Sequence, residues 1–436
     1  MTAVTTDPAD AAAKLRSVTT DTTREATRSD QDADELRGAL VEQIIVQREE
    51  QGFVLSREVE AALRTVPRHL FAPGVPLETA YANHSIVTKR SERGGPLSSV
   101  SAPSIQAMML GQLQVEPGQR VLEIGSGGYN AALLRELVGP EGSVTTLDID
   151  QEIADRALSC LAAAGYRDVR VLCANGEFGA AEYGPFERII VTVGTWGIPS
   201  AWVEQLVEGG RMVVPLWIKG LGRSWALERR NGYLIGGDPR TCGFVPMQGV
   251  DKNRSRSVSL HGGQVNFWAG EQQADATALS EALSMARVEA WSGVTVRDGE
   301  KILGNLDLWL ARLPEFWLLS AKQDAVDRGL VSPDWPMATP ALIDRGGSLA
   351  YQPKLRPMNA DKTIRELGVY AHGPHAAEVA ERFVEQIRIW DRDHRHGPGP
   401  RLTVHPAGTP DADLPAGLVI DKRHTRMMVS WPEHVE

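Results

Sequence analysis

Cysteine is scarce in this chain: three residues, Cys160, Cys173 and Cys242, among 436. The number is odd and no C-x-x-C pair occurs, which excludes a disulfide framework and a thiolate zinc site. Cys173 sits in the apolar run "VRVLC" and is expected as a buried core thiol. Positive charge is also in deficit. Lys and Arg total 46 against 56 Asp and Glu, a net charge of -10. That excludes a dedicated nucleic-acid binder, which needs a basic face, but leaves room for a local basic groove. No apolar run reaches the roughly 18 residues of a membrane helix. The N-terminus lacks the basic start and apolar stretch of a secretory signal. A reduced, cytoplasmic setting is expected. His394 and His396 in "DRDHRH" are two apart, so on a helix they point different ways, and arginines flank them. No metal site is expected.

What is present is ample apolar content, 42% of the residues, enough for sizeable cores. Residues 1–34 are rich in Ala, Thr and Asp with few large apolar groups, and are expected to lack fixed structure. From Glu35, "ELRGALVEQIIVQREEQ" has helical periodicity. Ser56 is the expected cap of "REVEAALRTV", and Ser104 that of "SIQAMMLGQL". Short strands then alternate with helices. "RVLEI" leads to "NAALLRELV", and "SVTTLDI" to "EIADRALSCLAAAG". "VRVLC" and "RIIVTVG" follow, then helix "PSAWVEQLVEGG" and strand "RMVVPLW". This order predicts an α/β fold, a parallel sheet of Rossmann-like type covered on both faces. The catalytic unit is expected over 35–249. Residues 250–436 have the texture of a second α+β domain, with strands such as "VEAWSGVTV" and a long helix in "HAAEVAERFVEQIRIWDRDHR".

The glycine turn in "VLEIGSGGYNAALL" lies between the first parallel strand and its helix. Such a turn lets a ligand approach bare backbone at a helix N-terminus. Gly125, Gly127 and Gly128 are there, but Asn130 stands where the dinucleotide fingerprint wants its third glycine. Asp148 closes the next strand, where a carboxylate can take both ribose hydroxyls; Asp150 is the better cap for the helix that follows. Glu123, two residues before Gly125, is costly in a buried strand and favours a methionine-type cofactor over a dinucleotide, unless it merely orders the turn. Asn175 in "ANGEFG" can meet an adenine amino group or simply make an Asn-Gly turn. Ser98, Ser99 and Ser101 read by themselves as a polar loop.

Taken together, these segments resemble the protein-L-isoaspartate O-methyltransferases over about Glu35–Gln248. "VPRHLFAP" at Val66–Pro73, "AY" at Ala80–Tyr81 and "SSVSAPSIQAMM" match family landmarks in order. "VLEIGSGGYNAALL", "LDID" and "GPFERIIVTVG" complete the series. The resemblance implies S-adenosylmethionine as cofactor. It implies Glu123, Gly125, Ser126, Gly127, Tyr129, Asn130, Asp148, Ile149, Asn175, Gly176 and Glu177 as the residues around it. It places Ser101 beside the acceptor carboxylate, with Ser98, Ser99 and Val100 along the substrate. The family's Gly-Asp-Gly is Ala174-Asn175-Gly176 here, and the glycine loop is one residue shorter.

The chain also runs well past the family's last sheet strand. "TVGTWGIP", "CGFVPMQG", "WDRDHR" and "DKRHTRMMVSWP" resemble a peptide-tailoring branch that includes the methyltransferases of the FxLD lanthipeptide system. That resemblance implies methylation of an aspartate in a ribosomally made, macrocyclic precursor peptide, followed by closure to a succinimide (aspartimide) and, on hydrolysis, isoaspartate. Repair of isoaspartyl protein is the alternative. Arg388, Arg392, Arg395, Lys422, Arg423 and Arg426 are expected either to grip an acidic peptide or to form ordinary surface ion pairs.

Overall fold

A computed structural model describes residues 31–50, 52–248, 256–297, 300 and 303–432. Most of the expected unstructured tail, 1–30, lies outside them. Residues 31–34 do not share its character, for they open helix α1 (31–50). Ser56 caps α2 (Arg57–Thr65) as expected, its hydroxyl accepting from the Val59 amide at 3.2 Å. A short helix α3 (Leu77–Ala80) follows.

The serine-rich stretch is a hairpin rather than a loop. Strands β1 (Ile86–Arg90) and β2 (Pro96–Val100) pair antiparallel as a separate two-stranded sheet. The next helix, α4, is Pro103–Leu113, and Ala102 is its N-cap. Ser104 lies inside the first turn, its amide donating to Asn83 Oδ1. Pro103 takes the first helical position, where its missing N–H costs nothing, and this moves the helix start one residue upstream of the expected serine cap.

The parallel core is as the alternation predicts. Strands β3 (Arg120–Ile124), β4 (Ser143–Asp148), β5 (Arg170–Cys173), β6 (Phe186–Val191) and β7 (Leu206–Ile218) are joined by α5 (Tyr129–Val138), α6 (Gln151–Ala163) and α7 (Ser200–Gln205). Helix α7 is shorter than "PSAWVEQLVEGG" suggested. Leu206 already pairs with Phe186, and the register slips before Arg211, so the glycines bend a strand instead of ending a helix. Strands β8 (Leu221–Arg230) and β9 (Tyr233–Thr241) continue the sheet antiparallel. Alternate residues serve opposite faces. Val121, Ile190 and Val213 join the helical layer of α1, α2, α4 and α5. Leu122, Ile124, Ile189, Val191, Met212 and Val214 face a second core. Cys173 corrects the core-thiol expectation: β5 is the sheet's edge strand, and the thiol is exposed there.

Beyond residue 250 the chain divides between two destinations. Strands β10 (Arg256–Leu260), β11 (Val265–Gly270), β12 (Val288–Arg297), β13 (Phe316–Ala321), β14 (Thr339–Ile343), β15 (Leu349–Tyr351), β16 (Arg356–Pro357) and β17 (Ile364–His372) build a second, antiparallel sheet. The amphipathic helix Ala376–Asp393 packs Val379, Phe383 and Ile387 against it. The last strands, β18 (Arg401–Pro406), β19 (Leu418–Asp421) and β20 (Thr425–Ser430), return to the first sheet, β18 pairing with β9. The completed order is β5-β4-β3-β6-β7-β8-β9-β18-β20-β19. The two sheets share one apolar core, which runs from Ile124 and Trp202 through Trp225 to Leu318 and Phe383. At the turn between β7 and β8 a Cβ on Gly220 would come within 2.8 Å of Trp268, Ala269 and Leu318 side chains, so the second sheet seats closely on that turn.

Candidate active site

The carboxyl ends of β3 and β4 open into a cleft of about 460 Å³, counting its mouth. One wall is the glycine turn. Gly125 has φ +95°, and a Cβ there would lie 2.9 Å from both Thr192 Oγ1 and Val193 Cγ1. Only glycine fits such a position, which is both left-handed and crowded. Thr192 Oγ1 lies 2.6 Å from the Gly125 carbonyl and fixes the turn from the far side.

Glu123 is fully buried beneath this turn. Its carboxylate accepts from Asn130 Nδ2 at 2.8 Å and from Thr146 Oγ1 at 2.7 Å. The bonds come from side chains, and they pin the start of α5 to β4. Burial pushes the carboxyl up to about 7, against the opposing pull of those two hydrogen bonds, with nearby Asp148 adding to the rise. Asp148 takes amide hydrogens on both oxygens, from Ser126 at 3.2 Å and from Asp150 at 3.0 Å. Its own carboxyl is raised, chiefly by burial. Asp150 caps α6 as expected, accepting from the Glu152 amide.

The opposite wall is β2 and the residues after it, Leu97, Ser98, Ser99, Val100 and Ser101. Ser98 is buried and its hydroxyl is taken up by Thr88 at 3.0 Å within the hairpin. No hydrogen bond among the described residues engages the Ser101 hydroxyl. Tyr129 also lines the cleft, and the buried Arg68 guanidinium lies 5.0 Å from its ring centroid.

The structure thus brings Ser98, Ser99, Val100, Ser101, Glu123, Gly125, Ser126, Gly127, Tyr129, Asn130 and Asp148 to one cleft. Ile149, Asn175, Gly176 and Glu177 stand apart from that lining, on the same rim of the sheet. Ile149 is largely exposed. Asn175 uses its side-chain carbonyl to accept from the Glu177 amide at 3.0 Å, the turn-forming arrangement. Gly176 gives its carbonyl to Trp202 Nε1 at 2.7 Å. Glu177 faces His424 Nε2 at 3.6 Å, so the turn after β19 reaches this rim. Sequence reasoning missed Leu97, Gln106, Thr192, Val193 and Val245. Thr192 and Val193 follow β6 directly, and the rule that ligands bind beyond strand carboxyl ends would have found them. Val245 has no local signal; it arrives because 245–247 run beside Gly194.

The cleft suits a methyl donor better than a dinucleotide. Two carboxylates, Glu123 and Asp148, line it, which opposes a pyrophosphate and favours a cationic sulfonium and ribose hydroxyls. Ser126 Oγ and Asn130 Oδ1 are buried with no protein partner, so the cleft offers polar atoms for a ligand.

Most of the late basic residues are neutralised within the chain. Arg388 pairs with Glu381, Arg392 with Asp393, Arg395 with Glu300 and Asp391, and Arg426 with Asp411 and Asp421. The surface ion-pair reading therefore describes them.

Comparison with known proteins identifies the family. The family model for protein-L-isoaspartate(D-aspartate) O-methyltransferase matches residues 39–252. A protein-L-isoaspartate O-methyltransferase of Methanococcus aeolicus is 36% identical over 201 residues, 45% of this chain and 89% of the relative. A protein-L-isoaspartate O-methyltransferase 2 of Archaeoglobus fulgidus is 38% identical over 222 residues, 50% of this chain and 95% of its own. A solved protein-L-isoaspartate O-methyltransferase structure aligns with TM-score 0.45 at 21% identity, over 83% of this chain and 96% of that one. The chain belongs to the protein-L-isoaspartate(D-aspartate) O-methyltransferase family, and is an S-adenosylmethionine-dependent carboxyl O-methyltransferase.

Proposed function

We propose that this enzyme methylates the free α-carboxylate of isoaspartyl residues in polypeptides, with the donor in the cleft between the glycine turn and β2. The observation that carries the reading is the two-walled cleft, with Asp148 and Glu123 on one wall and Ser101 on the other, within the segment shared with isoaspartyl methyltransferases.

When bound, S-adenosylmethionine supplies an electrophilic methyl group. The remaining work falls to this chain. Asp148 takes the ribose hydroxyls at the end of β4. Glu123, through Asn130 and Thr146, keeps the turn shaped for the methionine part. Ser101 donates a hydrogen bond to the acceptor carboxylate and aims its second oxygen at the methyl. An acceptor carboxylate is already ionised near neutral pH, so no side chain need act as general base. Positioning and exclusion of water carry the catalysis.

A second reading, an aspartate in a macrocyclic ribosomal peptide, is favoured by one feature. The family match ends at residue 252, and the sheet that follows seats on the β7–β8 turn, on the same rim as the cleft. Initial rates on a flexible isoaspartyl peptide and on a cyclised aspartyl peptide separate the two. We expect turnover of the isoaspartyl peptide; turnover of the cyclised peptide alone would transfer the enzyme to peptide tailoring.

A further inference from the structure

The two walls of the cleft are held to each other by a lysine. Strands β1 and β2 pair only with each other among the described residues. Ile86 and Val100 root the hairpin in the helical core, while its tip, 92–96, is exposed. The register slips on both sides of Lys89, between Val87 and Lys89 and again before Arg90. A bulge of this kind re-aims a side chain. Lys89 Nζ lies 2.6 Å from Asp150 Oδ2 and 2.7 Å from Glu152 Oε2, both at the start of α6. Asp150 in turn donates its amide to Asp148. The chain of contacts runs from the hairpin through Lys89 and Asp150 to the carboxylate assigned to the ribose. Within the hairpin, Thr88 bonds Ser98, so β1 and β2 move together.

We propose that Lys89 is a positioning residue that latches the β1–β2 hairpin across the methyl-donor cleft through Asp150 and Glu152, and so governs how fast donor and spent product leave. This rests on the cleft being the S-adenosylmethionine site. A partly exposed ion pair suits the task. It is weak and salt-screened, so it can open at every turnover.

The test is the dissociation rate of S-adenosylhomocysteine, followed by stopped-flow fluorescence on the full chain. We compare wild type, Lys89→Met and Lys89→Arg. The methionine variant should release the product about fivefold faster, the span of an exposed ion pair, and the arginine variant should restore the wild-type rate. Raising ionic strength should speed release from the wild type and leave Lys89→Met unchanged. Normal binding with unchanged release in Lys89→Met overturns the latch. So does an arginine variant as fast as the methionine one. Failure of the wild type to bind S-adenosylhomocysteine overturns the cofactor site itself, and the latch with it.

Discussion

The two walls of the cleft are built on opposite principles. The wall of Glu123, Gly125 and Asp148 grows from β3 and β4 inside a ten-stranded sheet, with neighbours on both sides. Its polar groups bond each other: Asn130 and Thr146 to Glu123, Ser126 and Asp150 to Asp148. The wall of Ser98–Ser101 hangs from a hairpin outside that sheet, and Ser101 keeps its hydroxyl uncommitted. The difference teaches a division of labour. Under the proposed function, the fixed wall would hold what is common to every cycle, the donor, and the hairpin wall would meet what varies, the polypeptide.

Substitutions can break this division. Asp148→Ala should have the largest effect, weakening S-adenosylmethionine by about 2 kcal/mol, or roughly thirtyfold, as expected for a charged hydrogen bond. Calorimetry on the folded variant measures it, and unchanged affinity would remove the ribose from Asp148. Ser101→Ala comes next. It should slow methyl transfer about tenfold with donor affinity intact, in keeping with loss of one hydrogen bond to a carboxylate. Wild-type kcat in that variant would take Ser101 out of the reaction.

The third test sharpens the picture of the fixed wall. Glu123 has its carboxyl raised by burial from an ordinary 4.5 to about 7. Between those values the folded state holds a proton that the unfolded chain releases. Its stabilising contribution is therefore whole below about 4.5 and is lost as pH climbs through 7, a change of about 3 kcal/mol at most. Thermal melts of wild type should decline over that window relative to Glu123→Gln. Affinity for cationic S-adenosylmethionine should rise in wild type as pH passes through about 7, where the folded carboxyl becomes charged, and stay level in Glu123→Gln. Parallel pH curves for the two proteins would refute the assignment.

Much of this molecule is legible locally. Period and strand length declare β3 through β7, and Ser56 and Asp150 announce their helices through short-range hydrogen bonds. The apolar spacing of Val379, Phe383 and Ile387 declares the long helix. The glycine turn and Asp148 are legible because the chemistry of a strand end is local. Other features depend on partners far away in the chain. The return of β18 to β9 joins residues more than 160 positions apart, and nothing in "RLTVHPAG" names that neighbour. Cys173 looked internal because "VRVLC" is apolar; which strand becomes the sheet edge is a matter of topology. The charges of Arg395 and Arg426 looked available because Glu300 and Asp411 are brought to them only by the fold. Lys89 has no local signal, and its meaning comes from α6, some sixty residues on.

The return of the last strands also has a consequence for how the chain is made. The second sheet is an insertion between β9 and β18 of a single sheet, so the ribosome delivers the catalytic half with an open edge at β9. That edge stays unpaired until about 160 further residues have emerged, which is when newly made chains are most exposed to mispairing. A nascent chain stopped at residue 249 would still carry that open edge, so growth temperature and chaperone supply should govern the yield of the full chain.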